Sequence, residues 1–248
     1  MKSLMPLLAL AALAGAAAAA EDRHAPAGHA GPPGRNANSY ADPSAVIAAE
    51  LAFARAAQEK GQWTAFAATA ASDAVMFEPQ MVLAQQWLKG RPNPPVAVKW
   101  QVHQVWSSCD GSLMASHGAW QGPRRTGYFT TLWQRQRDGG YKWIFDGGDS
   151  LEHPLAAPEM IAAQIADCPV RTRRAPGVEA RATSGNPRRG NSPIPFDPAH
   201  RSGKSDDGTL SWTITVDPSG ARNLNVEWKK DGADKPVLTE QVSAPASH

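Results

Sequence analysis

Tyr128-Phe129-Thr130-Thr131-Leu132-Trp133-Gln134-Arg135, then a break at Asp138-Gly139-Gly140, then Tyr141-Lys142-Trp143-Ile144-Phe145-Asp146: this stretch decides the fold. Two runs of aromatic and β-branched residues around a Gly-rich turn read as paired antiparallel strands. Strict alternation puts Tyr128 and Leu132 on one face and Phe129 and Trp133 on the other. It likewise sets Tyr141, Trp143 and Phe145 opposite Ile144 and Asp146. An antiparallel sheet with one wet face carries large apolar groups on one side only. Both faces must therefore be covered, and beyond the helices the second cover is either a partner subunit or the rest of the chain.

Working upstream, the strand pattern begins near Val96. Val98, Trp100, Val102 and Trp106 share one face, with Lys99, Gln101, His103 and Val105 on the other. Asp110-Gly111 reads as a hairpin turn into a strand over 113–120, and 122–126 turns the chain back. Before the strands the period is helical. Asp42 caps and Pro43 opens a helix over 44–60 bearing Val46, Ile47, Leu51 and Phe53, which Gly61 ends. A second helix is expected over 62–71, a short strand over 74–77, and a third helix over 82–89 with Trp87. Pro92, Pro94 and Pro95 then make a rigid turn. Helices first and a meander afterwards give an α+β fold, with helices packed on one side of a strongly curved antiparallel sheet.

The flanks divide the rest of the chain. Residues 1–20 have a charge at Lys2, an apolar run and an Ala-rich end, the features of a signal peptide cleaved near Ala20. The apolar run is short against the roughly 20 residues of a membrane span. The expected location is the periplasm or the extracellular space, with no membrane partner. Residues 21–41 read as a disordered leader, 42–150 as the main domain, 151–206 as a short helix (158–168) and a Pro/Gly/Arg-rich linker, and 207–243 as a small β extension. That extension holds strands over 209–216, 223–229 and 235–242, and no repeat is expected to link it to the main domain. Cys109 and Cys168 are the only cysteines. In an oxidising compartment they allow one disulfide, against the alternative of two buried thiols. With 25 Lys+Arg against 23 Asp+Glu the net charge is +2, which supplies no field for nucleic acid.

The glycine-rich nucleotide loops, the zinc-protease helix signature and the serine-hydrolase elbow are all missing from the sequence, and no cofactor or metal is expected. The candidate catalytic residues are polar groups that interrupt strands: Asp146, His103, His117 and Tyr128. A carboxylate in an apolar pocket has its pKa raised and can exchange protons near neutral pH. A histidine or the Tyr128 hydroxyl can donate to an oxyanion or a ligand carbonyl. The candidate ligand-binding residues are Trp87, Trp100, Trp133, Phe129 and Glu78.

The motifs Glu50-Leu51-Ala52-Phe53-Ala54-Arg55, Trp87-Leu88-Lys89-Gly90-Arg91-Pro92, Trp133-Gln134-Arg135, Tyr141-Lys142-Trp143 and Asp146-Gly147-Gly148 carry a resemblance. Residues 46–149 resemble the NTF2-like superfamily, in its SnoaL-like or DUF4440-like branch. The resemblance implies a cone of helices on a curved sheet, a pocket between them, and pairing of two copies through the outer sheet face. It also implies a choice among non-catalytic binding modules, structural dimerisation modules, and cofactor-free isomerases, cyclases or dehydratases. The first expectation is an exported protein that holds a small apolar molecule. The isomerase-like arrangement of an acidic base with a tyrosine and a protonated acid does not map whole onto this chain, where Asp146 is a partial stand-in.

Overall fold

The computed structural model describes residues 41–169 and 196–244. The expected signal peptide, all but the last residue of the expected leader and most of the expected linker lie outside the described residues. In chain order the elements are α1 (Pro43–Lys60), α2 (Gln62–Thr69), β1 (Ala70–Phe77), β2 (Met81–Leu83), α3 (Ala84–Leu88), β3 (Lys99–Ser107), β4 (Leu113–Gln121), β5 (Thr126–Arg135), β6 (Tyr141–Leu151), β7 (Ala162–Ile165), β8 (His200–Lys204), β9 (Leu210–Val216), β10 (Arg222–Lys230) and β11 (Ala233–Val242).

The expectation of a cone on a strongly curved antiparallel sheet is wrong. The seven strands β2-β1-β6-β5-β4-β3-β7 form an open, mixed sheet that is neither closed nor strongly curved. β1 runs parallel to β6 and β7 runs parallel to β3. Tight turns dictate antiparallel pairing only for strands they join, here β3 through β6. β1 and β7 reach the sheet through long connections, so their direction is set by which edge needs a partner. The expected helix over 158–168 fails for that reason. Its Met160, Ile161 and Ile165 have helical spacing, but Met160 and Ile165 are exposed. The segment instead satisfies the open edge of β3, with Gln104 beside Ala162 and Ser107 beside Ile165. The Cys109–Cys168 disulfide, Cα atoms 5.1 Å apart, fastens that strand just past its end.

Three layers result. α1 to α3 cover one face of the large sheet, around Phe53, Trp133 and Trp143. A second sheet, β11-β10-β9-β8, covers the other. Its Leu210, Trp212, Ile214, Leu224, Val226 and Trp228 pack against Trp106, Leu113, Leu132 and Phe145. The rest of the chain, rather than a partner subunit, therefore occupies the surface that a dimer would have used. Two bulges correct the strict alternation. A register shift at His103 sends Val105 to the helix side and Trp106 to the outer side. A second shift at Ile144 puts Trp143 beside Trp133 on the helix side and leaves Phe145 beside Leu132 on the outer side. Asp146, paired with Thr131, thus shares the helix side with Trp143. A bulge inserts one residue and inverts every face beyond it, which local spacing does not reveal.

A repeat does link the two sheets, contrary to expectation. Ser108-Cys109-Asp110-Gly111-Ser112-Leu113 and Ser205-Asp206-Asp207-Gly208-Thr209-Leu210 share one pattern and one geometry. In each, the aspartate Oδ1 accepts from the serine two residues before it and from the backbone and hydroxyl two residues after it. Gly111 and Gly208 have φ of 67° and 71°, a conformation that favours glycine. The turns then clasp each other: Asp110 N–H donates to Asp207 Oδ2 at 2.8 Å, and Asp207 N–H to Asp110 Oδ2 at 3.1 Å. Burial pushes the Asp207 carboxyl up, but the bonds from Ser205, Thr209 and Asp110 outweigh it and hold the group below its usual range.

Candidate functional site

A pocket of about 360 Å³ opens between α1, α2 and the large sheet. Its apolar wall is aromatic: Phe53, Trp63, Phe66, Trp100, Trp120 and Phe129. Phe53 is the hub, 4.8 Å from both the Phe66 and Trp100 rings in edge-to-face contact. The polar lining residues are Gln62 on α2, Glu78 just past β1, Tyr128 on β5, Asp146, Asp149 and Ser150 on β6, Arg125 on the β4–β5 turn, and Arg222 on β10. Gly147 and Gly148 leave the pocket floor without side chains. A Cβ on Gly148 would lie 2.0 Å from the Tyr128 carbonyl oxygen, so the strand packing itself demands glycine there.

Asp146 is the chemical centre. Thr131 Oγ1 donates to its Oδ2 at 2.8 Å. Burial pushes its carboxyl from 3.8 up to about 7; the Thr131 bond opposes the shift, while the nearby Glu50 and Glu78 charges add to it. Glu78 is also raised by burial, against the pull of Arg91. Tyr128 is pushed up to about 12 by burial and by the Glu240 and Asp149 charges, so its hydroxyl stays protonated and able to donate. The site thus offers one carboxyl pushed up to about 7 and an apolar wall, while the Tyr128 ring lies toward His117, centroids 5.7 Å apart. Among the described residues, no three metal-ligating side chains are grouped as a metal would require.

Of the residues singled out from sequence, the pocket brings together Asp146, Tyr128, Glu78, Trp100 and Phe129. It does not include His103, His117, Trp87 or Trp133. His117 faces the outer sheet, where its Nδ1 lies 3.1 Å from Thr130 Oγ1 and 3.4 Å from Glu240 Oε1. His103 sits in the bulge, its pKa lowered by burial and by His117. Trp87 packs edge-to-face on Trp63, centroids 5.1 Å apart, under the Arg91 guanidinium. Trp133 is fully buried and donates to Glu50 Oε1 at 2.9 Å.

Sequence reasoning missed Glu50 as a site-linked residue. It lies on the buried stripe Val46, Glu50, Phe53, Ala57 and is 1% exposed. Its carboxyl takes bonds from Trp100 Nε1 (3.2 Å), Trp133 Nε1 (2.9 Å) and Ser116 Oγ (2.5 Å), and burial nonetheless pushes its pKa up. Through Trp100 it steadies the pocket wall. A carboxylate inside an apolar helical stripe is the signal that finds it. Arg222 has no such local signal, because it reaches the pocket from another sheet.

No family model matches the chain, and neither does any curated protein. Solved structures do. A candidate ketosteroid isomerase from Parabacteroides distasonis is 13% identical over 42% of this chain and 86% of its own, with a TM-score of 0.33. A candidate aromatic ring hydroxylase from Novosphingobium aromaticivorans is 13% identical over 46% and 92%, with a TM-score of 0.35. An LEH-like epoxide hydrolase from M. tuberculosis is 18% identical over 43% and 84%, with a TM-score of 0.28. These are distant, low-identity matches, and likeness at this level decides neither family nor reaction.

Proposed function

We propose that this chain is an exported NTF2-like protein of the SnoaL-like or DUF4440-like kind that binds a small, largely apolar molecule in the pocket between its helices and its large sheet. The observation that carries the reading is a cavity of about 360 Å³ with an aromatic wall and a few polar groups along one side. Native mass spectrometry tests it. Protein purified under mild conditions should carry a small adduct that denaturation releases and that the pocket-filling variant Ser150→Trp lacks. Adduct-free protein that binds N-phenyl-1-naphthylamine no better than Ser150→Trp does would end the reading.

A second reading, cofactor-free proton transfer by an isomerase, cyclase or dehydratase, is favoured by one observation. Asp146 lines the pocket with its carboxyl pushed up to about 7. A group poised there can both take and return a proton. Carbon-13 NMR of the Asp146 carboxyl should show a midpoint near 7 in the free protein. A midpoint near 4 would remove proton transfer and leave binding intact.

A further inference from the structure

Arg222 opens β10 in the outer sheet, yet it lines the same pocket as Asp146. Its Nη2 donates to the Gly148 carbonyl at 3.0 Å and its Nη1 to the Pro79 carbonyl at 3.3 Å, and the guanidinium lies 4.3 Å from the Phe77 ring centroid. All of these partners are uncharged. A guanidinium carries five N–H donors, and among the described residues two of them are used. Neither Arg222 nor Arg125, the other cation of the lining, belongs to an ion pair among the described residues. Asp149, also at the lining, attracts Arg222, but its Oδ1 accepts from Ser150 N–H and it stays outside ion-pair distance of the guanidinium. Glu240 of the second sheet also attracts Arg222 and also stays outside ion-pair distance, and the two further acids of the lining, Glu78 and Asp146, are pushed toward their neutral forms by burial.

We infer that the pocket takes an amphipathic carboxylate, its apolar body against the aromatic wall and its anionic end at the unpaired guanidinium of Arg222, so that the C-terminal sheet completes the binding site. Guanidinium geometry matches a carboxylate through paired N–H donors, and a partly desolvated guanidinium gains more from an anion than from a neutral oxygen. The inference rests on the binding reading above and names its ligand class.

The test uses the full chain, N-phenyl-1-naphthylamine as the fluorescent pocket probe, and two competitors of equal length, decanoate and decan-1-ol. Decanoate should displace the probe about tenfold better than the alcohol, the difference expected of one charge-assisted contact. Arg222→Gln should bring the two within about threefold, read as the ratio of acid to alcohol in the same variant, and Arg222→Lys, which keeps the charge but not the paired donors, should keep part of the preference. Because Arg222 also braces the Gly148 and Pro79 carbonyls, Arg125→Gln on the exposed turn supplies a second variant and should weaken decanoate by a smaller factor. Equal displacement by acid and alcohol in the wild-type protein, or a preference that survives Arg222→Gln, overturns the carboxylate inference alone. Failure of the probe to bind overturns the pocket reading and this inference with it.

Discussion

The two faces of the large sheet are both covered, and they are covered differently. The outer face meets the second sheet through Leu132, Phe145, Trp106, Leu210, Trp212 and Ile214, an interlayer that is mainly apolar and gathers its polar groups at His117, Thr130 and Glu240. The inner face meets helices that leave a hollow, and into that side the chain sets three carboxyls, Glu50, Glu78 and Asp146, all with raised pKa. Sheet-on-sheet packing fills the space between layers with interdigitated side chains. Helices laid across a sheet leave room at their ends, and ionisable groups survive there because the pocket admits some water and the indole and hydroxyl donors supply bonds. The contrast makes the outer layer the stabilising half and the inner layer the chemical half.

Exchanging the characters of the two faces breaks the comparison most severely. Leu132→Asp places among the apolar side chains of the outer side, with no donor to meet it, the kind of group that the inner side tolerates at Asp146. It should cost about 5 kcal/mol and leave little folded protein by circular dichroism. Opening the disulfide with Cys109→Ser and Cys168→Ser comes next. The bridge closes a loop with a sequence separation of 59, and its loss should cost about 4 kcal/mol in a denaturant melt. It should loosen the outer layer first, since Asp167 beside it accepts from Lys230 Nζ and Asp231 N–H in the second sheet.

Asp146→Asn should act in the opposite direction. The folded chain holds a proton on Asp146 up to about 7, whereas the unfolded chain releases it near 3.8, so wild-type stability falls as pH rises between those values and levels off above them. The variant should therefore gain on the order of 2 kcal/mol at pH 8, an effect discounted for partial water access, and nothing below about pH 3.5. Equal gains at both pH values would show that the carboxyl is ordinary and would erase the contrast between the faces. The smallest effect concerns the clasp. Asp110→Ala and Asp207→Ala, measured singly and together, should show a coupling of about 1 kcal/mol, because each carboxylate accepts the other turn's N–H. Strict additivity would mean that the turns touch without holding the sheets together.

Much of the frame was legible in the sequence. The Asp42-Pro43 start of α1, its end at Gly61 and the Asp110-Gly111 and Asp138-Gly139-Gly140 turns are local chemistry, and they fall where the residues say. Asp146, Tyr128 and Glu78 stand out as polar groups that interrupt strands, Trp100 and Phe129 as aromatics suited to a pocket wall, and all five line the pocket. His117 was picked out by the same argument and lies under Glu240 on the outer side, since residue type alone does not tell which face a strand turns inward. The paired Ser-x-Asp-Gly motifs were in plain view, but six residues repeated once look like coincidence until both turns are seen to share their bonds.

Taken alone, the sequence determined the helical character of α1 to α3, the antiparallel hairpin order of β3 to β6, and the need to cover both faces of the sheet, because each follows from contacts between near neighbours in the chain. Tertiary structure decided the parallel edges at β1 and β7, the face inversions at His103 and Ile144, the outer cover, and the placing of Glu50 and Arg222 around one cavity. Those outcomes depend on which distant surfaces meet, and residues as far apart as Gly148 and Arg222 acquire their meaning only when the fold brings them together.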